Sequence, residues 1–199
     1  MKAAKTFLKF ILITLTALVI TACSKTVQWE EEVPLNTGET IVVKRSGKYE
    51  YEYIANWGFG YKPIGPSTID FEYKGKKYSH SEEIRLLLLA ISPEDIPNLI
   101  ASPFGWGNQN KFPCITPYYV QFVPDETGVK WQWAKQVEPW LFNLPTNLLI
   151  GTADINDNGN RLLPADRKNR NASILRDEQN SRIVSDLKPT TCVGYKNVR

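Results

Sequence analysis

Histidine is almost missing from this 199-residue chain, which has His80 and no other. The single methionine is Met1, and the three cysteines, Cys23, Cys114 and Cys192, are too far apart to form a CxxC pair. These shortages exclude a good deal. A transition-metal site needs a cluster of imidazole and thiolate ligands, and none is present. A Ser-His-Asp site would rest on His80 alone, set in Tyr78-Ser79-His80-Ser81, with no GxSxG elbow to mark a nucleophile. A lone histidine beside a turn reads as a surface or capping residue. Beyond residue 22 no apolar run approaches the roughly 20 residues that span a bilayer, and no internal repeat appears. No cofactor is expected.

An excess of charge is also missing once the amino terminus is set aside. The chain has 24 basic and 21 acidic residues. Lys2, Lys5 and Lys9 lie in the first 22 residues with no acid, so the remainder has 21 of each. A neutral body argues against nucleic acid, whose binding rests on a basic surface. Those three lysines precede an apolar run from Phe10 to Ile20, too short to span comfortably and proportioned like a signal-peptide core. The run ends in Ile20-Thr21-Ala22-Cys23, which resembles the bacterial lipobox. The resemblance implies a leader, residues 1–22, cut before Cys23. It also implies a diacylglycerol on the Cys23 thiol and an acylated amino group, palmitate being the kind of chain implied. More than one acyl chain is needed for firm anchoring. Ser24 in place of Asp implies the periplasmic face of the outer membrane, if the source is Gram-negative.

What the body has in quantity is six Trp, nine Tyr and eight Phe, punctuated by 13 Pro and 12 Gly. This composition predicts a mainly β domain, with α+β as the variant: an antiparallel sheet or sandwich built from hairpins. After a lipidated tether at residues 23–28, residues 29–199 form one domain. Runs at Val27–Val33 and Glu39–Arg45 around Asn36-Thr37-Gly38 predict a hairpin. Lys48–Tyr53 alternates strictly, three tyrosines on one face and acids on the other, which is the strand period. Residues 57–61, with Pro63 and Pro66 following, read as an irregular loop. Thr68–Tyr73 and Lys76–Tyr78 predict a second hairpin around Lys74-Gly75. The run Ile84–Ile91, with four consecutive leucines, fits either a buried strand or a short helix, and its length of eight residues before Ser92-Pro93 favours the buried strand. Asn98–Ala101 extends the sheet, and Tyr118–Val123 with Val129–Ala134 makes a third hairpin. Residues 151–199 turn polar and predict an irregular, loop-rich tail with one short helix between Ala172 and Leu187.

Candidate sites follow from these placements. Once Cys23 is lipidated, Cys114 and Cys192 form an even pair that reads as a disulfide in an oxidising compartment, the alternatives being free thiols or a redox couple. Closing so long a loop is worth roughly 4 kcal/mol in the chain-entropy account. Glu30, Glu31, Glu32, Glu50 and Glu52 are the carboxylates available for glycoside chemistry, although strand alternation places several on a solvated face. Asp154, Asn156 and Asn158, followed by Gly159, resemble the start of a calcium loop. The twelfth position, however, is Ala165 where a bidentate acid belongs, and no metal is expected. Trp57, Phe59 and Trp106 sit beside glycines, where exposed rings would stack on a sugar or anchor a protein.

Residues Trp29–Val43 and Pro117–Trp133 resemble small uncharacterised lipoproteins of proteobacteria, a resemblance that transfers no activity. The expectation is a lipid-anchored, non-enzymatic binding or structural module of the cell envelope. Its partners would be the membrane, through the anchor, and an envelope protein or glycan. A hydrolase of envelope polymers and a prophage-type lipoprotein that blocks a receptor are the alternatives.

Overall fold

The structure, a computed structural model, describes residues 24–54, 58–103, 111–112, 116–150 and 158–188, without the side chains of 53–54 and 58–59. Among these residues the chain is mainly β, and ten strands make two sheets. The first sheet takes β1 (Ser24–Pro34), β2 (Thr40–Ile54), β3 (Gly58–Pro63), β4 (Ser67–Tyr73) and β5 (Lys76–Glu82), with β10 (Arg161–Leu162) on its edge. Its order is β10-β1-β2-β4-β5, and β3 lies alongside the far end of β2. The second sheet is β6 (Arg85–Ile91), β7 (Pro97–Ser102), β8 (Val120–Pro124) and β9 (Trp131–Trp133), in sequence order. All pairings are antiparallel except that of β10 with β1. The three hairpins expected from the sequence are present. Lys74 and Gly75 turn with φ 50° and 77°, the double positive φ of a tight two-residue hairpin loop.

Two expectations are corrected. Residues 58–61 are not irregular loop: β3 pairs with the extension of β2, Tyr61 opposite Tyr51 and Phe59 opposite Tyr53. The glycines that suggested a loop are tolerated because this ribbon sits at the rim of the sheet, where side-chain packing demands little of positions 58 and 60. Ser24–Gln28, expected as the end of a tether, are the first residues of β1.

The sheets pack face to face. From the first sheet Val33, Val43, Ile69, Phe71, Tyr73 and Tyr78 point inward, and they meet Leu86, Leu89, Ile91, Leu99, Ala101 and Phe122 of the second. A register shift between Leu86 and Leu88 sends Leu87 and Leu88 to the same, opposite side. There, with Ala90, Ile100 and Tyr119, they pack against Val137, Leu141, Ile150 and Ile183. The second sheet is therefore buried on both faces, which accounts for its run of consecutive leucines. The cover on its second face comes from the segment after β9, including the stretch expected to be an irregular tail. That stretch carries α1 (Pro164–Asn171) and the single turn α2 (Glu178–Ser181). The turn α2 lies between Ala172 and Leu187, where one short helix was expected; α1, before Ala172, was not expected, and Pro164 opens it while Asp166 accepts from the Leu163 N–H (3.2 Å) at its start.

Amide side chains stitch the layers where strands stop. Asn147 accepts from the Leu89 N–H (2.8 Å) and donates to the carbonyls of Leu89 (2.8 Å) and Pro34 (2.9 Å). Asn36 makes a matching pair of bonds to Ile91, 2.7 and 2.8 Å. Asn171 of α1 accepts from the Ile150 N–H (3.1 Å) and donates to the Leu148 carbonyl (3.0 Å). At the opposite rim the β8–β9 turn closes on β5. The Ser79 N–H donates to the Gly128 carbonyl (3.2 Å) and the Trp131 Nε1–H to the Ser79 carbonyl (2.7 Å).

Candidate functional site

The aromatic feature that the structure brings to the surface is built on β2. The tyrosines at 49 and 51 share one face of the strand, yet their fates differ. Tyr49 is buried with Val27, Trp29, Leu149 and Leu162. It folds back over Gly47, where a Cβ would stand 3.1 Å from the Tyr49 ring. Tyr51 is 51% exposed and Tyr61 42% exposed, with ring centroids 5.1 Å apart. β1 is described from Ser24, opposite Glu50, and beyond Glu50 the described pairing of β2 is with β3, Tyr51 opposite Tyr61. The other strand faces carry Glu52 and Lys62, paired at 3.0 Å. Of the rings expected to bind, Trp57 and Trp106 lie outside the described residues, as does the side chain of Phe59. Sequence reasoning passed over the pair Tyr51 and Tyr61. The alternation at 49, 51 and 53 was legible, but reading 57–61 as loop hid the partner strand.

The glutamates of β1 are divided between the two faces of the first sheet. Glu31, expected among solvated acids, is fully buried. Its Oε1 accepts from Trp29 Nε1 (2.8 Å) and Arg45 Nη1 (3.1 Å), and its Oε2 from the Leu149 N–H (2.9 Å). The Arg45 guanidinium lies 5.4 Å from the centre of the Trp29 ring. Glu31 thus joins β1, β2 and the segment after Leu148. Glu30 and Glu32 point the other way, to the outer face. There the register sets Arg161 beside Glu30, Glu30 beside Lys44, Lys44 beside Asp70, and Glu72 beside Lys77. Arg161 clamps Glu30 at 2.6 Å. The outer cavity of about 320 Å³ that includes Glu30 does not include Glu32. Glu50 lies six residues along β2 from the partner of Glu30, roughly 20 Å at strand rise, far beyond the spacing of a glycosidase pair. This outer face is a charge-alternating, solvated surface.

His80 is not a surface or capping residue. It is buried between the sheets, its ring 4.6 Å from Phe122 and 5.3 Å from Trp131. Burial pulls its pKa down to about 4. The charges of Glu82 and Lys111 act in opposite directions and are paired with each other at 2.7 Å. Its Nε2 has no hydrogen-bond partner among the described residues. Among the described residues its observed role is packing against the Phe122 and Trp131 rings.

Of the calcium candidates, Asp154 and Asn156 lie outside the described residues. Asn158 is described, and its Oδ1 accepts from the Gln28 N–H at 3.1 Å. The neighbouring Gly159, at φ 81°, donates to the Gln28 carbonyl (2.7 Å). This Asn-Gly segment therefore steers the chain into β10 against β1, and its side-chain oxygen is already engaged. Among the described residues no three His, Cys, Asp or Glu side chains gather to hold a metal. Cys23, Cys114 and Cys192 all lie outside the described residues. Among the described residues no helix is long and apolar enough to cross a membrane. Comparison of the chain with protein-family models, curated proteins and solved structures finds no match.

Proposed function

We propose that this chain is a lipid-anchored, non-enzymatic binding or structural module of the bacterial envelope, seated on the membrane by its aromatic ribbon. The observation that carries the reading is the start of β1 at Ser24, opposite Glu50. The lipobox-like cysteine is the residue before Ser24, so a lipid on it would lie one residue from a described strand. The end of β1 that follows it lies beside the exposed Tyr51 and Tyr61. Tyrosines at that depth suit the headgroup layer, where one end of the ring is apolar and the hydroxyl is wet. The body of the domain then projects from the bilayer toward an envelope protein or glycan.

The test has two arms. Replacing Cys23 with Ala is expected to abolish labelling by a radioactive fatty acid and to move the protein out of the membrane fraction. Unchanged labelling overturns the anchor. A photo-crosslinking residue at position 61, in the native chain in cells, is expected to capture phospholipid, while the same probe at position 130 in the β8–β9 turn does not. Labelling of the chain without lipid adducts at position 61 would keep the anchor and overturn the seating.

A further inference from the structure

We propose that Asn158-Gly159 is a site of covalent modification, deamidation by water, and that the docking of β10 on β1 holds it in check. It is the only Asn-Gly pair in the chain. The Gly159 backbone nitrogen, once it has lost its proton to hydroxide, attacks the Asn158 side-chain carbonyl carbon, Cγ. A new N–Cγ bond closes a succinimide ring, and the Cγ–Nδ2 bond breaks to release ammonia. Water then opens the ring. Attack at Cγ restores the peptide bond and leaves Asp, while attack at the backbone carbonyl carbon leaves isoaspartate, with the main chain running through the former side chain. One water is consumed and one ammonia leaves, with no oxidant or cofactor. Glycine favours the closure because it has no Cβ to crowd the attack and reaches backbone angles closed to other residues.

Both residues are exposed to water, yet one residue of β1 engages both reacting groups. Asn158 Oδ1 accepts from the Gln28 N–H at 3.1 Å, and the Gly159 N–H donates to the Gln28 carbonyl at 2.7 Å. The first bond holds the amide side chain against β1. The second ties up the proton whose loss makes the nitrogen a nucleophile, and a paired backbone N–H is released only when the pairing opens. The docking continues along the strand. The Glu30 N–H donates to the Asn160 carbonyl (2.9 Å), and Arg161 grips Glu30 through Nε (2.9 Å) and Nη2 (2.6 Å). With β10 two residues long and its clamp at the surface, lifting it off β1 is a local opening, cheaper than unfolding the core. That opening, and not solvent exposure of the pair, sets the rate. Isoaspartate displaces the oxygen that the Gln28 N–H uses, so conversion removes one of the bonds that held the site shut. The site does not depend on the lipid anchor, so the two readings stand or fall separately.

The full chain in detergent is incubated in mildly alkaline buffer, either folded or unfolded in guanidinium chloride. Conversion at position 158 is followed by mass spectrometry of the peptide that contains it. The folded chain is expected to convert at least about tenfold more slowly than the unfolded one. Arg161→Ala removes the clamp on Glu30; it should speed conversion in the folded chain roughly threefold or more and leave the unfolded rate unchanged. Lys130→Ala should change neither rate. Gly159→Ala should all but stop conversion in the unfolded chain, which assigns the reaction to this pair. Equal rates in the folded and unfolded parent would overturn the gate. Absence of conversion in the unfolded parent, or its persistence in Gly159→Ala, would overturn the site. A folded rate that Arg161→Ala leaves unchanged would overturn the role given to β10.

Discussion

At the residue scale, two buried polar groups are held in opposite ways. Glu31 is satisfied: three donors converge on its carboxylate, so removing any one partner strands part of a buried charge. His80 is tolerated as a neutral ring among aromatics, and this makes stability depend on pH. Its pKa in the fold, about 4, lies below the ordinary value near 6.5 of an unfolded chain. Between those values the unfolded chain binds a proton that the folded chain refuses. His80's contribution is therefore fully present above pH 6.5 and lost as pH falls toward 4, by about 3 kcal/mol in all. His80→Phe keeps a ring against Phe122 and Trp131 but cannot take the proton. Urea midpoints at pH 7 and pH 4 should show the variant losing less stability than the parent by roughly that amount. Equal losses would show that the imidazole accepts its proton in the fold.

At the element scale, local pattern was enough wherever a strand's own faces decide its state. Val27–Val33, Thr68–Tyr73 and Tyr118–Val123 alternate or cluster as strands must, and Lys74-Gly75 supplies the turn. The run Ile84–Ile91 is the informative case. Its continuous apolarity favoured a buried strand over a short helix, but did not show the register shift that puts Leu87 and Leu88 on one side. Bulges answer to packing against partners distant in sequence. The same holds for Asn147, which reads as an ordinary loop residue and acts as a substitute strand partner for β6. Replacing Asn147 with Leu leaves the buried N–H and C=O of Leu89 without their side-chain bonds. The expected cost is about 2–4 kcal/mol for two stranded backbone groups, measured by urea unfolding. A loss below about 1 kcal/mol would show that the pairing is dispensable.

At the scale of the whole molecule, the polar carboxy-terminal stretch forms a third layer. Its charged and amide residues conceal how it packs. Arg167 donates to the Glu32 carbonyl (2.7 Å), fixing α1 on β1. Ile183 joins Leu141 over Leu87 and Leu88. Tyr119, its pKa pushed up to about 12 by burial, donates to the Gln179 carbonyl at 2.9 Å. A chain ended after Ile150 should therefore expose Leu87, Leu88, Ala90 and Ile100. The truncated chain is expected to lose soluble yield and to bind a hydrophobic dye such as ANS at neutral pH. A soluble, cooperatively unfolding truncation that ignores the dye would show the layer to be an appendage.

The division between sequence and structure follows from the range of the forces concerned. Alternation, turn chemistry and the lipobox-like quartet act over a few residues, so the β class, most hairpins and the expectation of an anchor at Cys23 were readable along the chain. The burial of Glu31 and His80 and the exposure of Tyr51 beside a buried Tyr49 were not. Each depends on which distant segments meet: Arg45 and the Leu149 N–H on Glu31, Phe122 and Trp131 on His80, and Trp29, Leu149 and Leu162 on Tyr49. Solvent exclusion and the pairing of charges are properties of those meetings, and only the tertiary structure decides them.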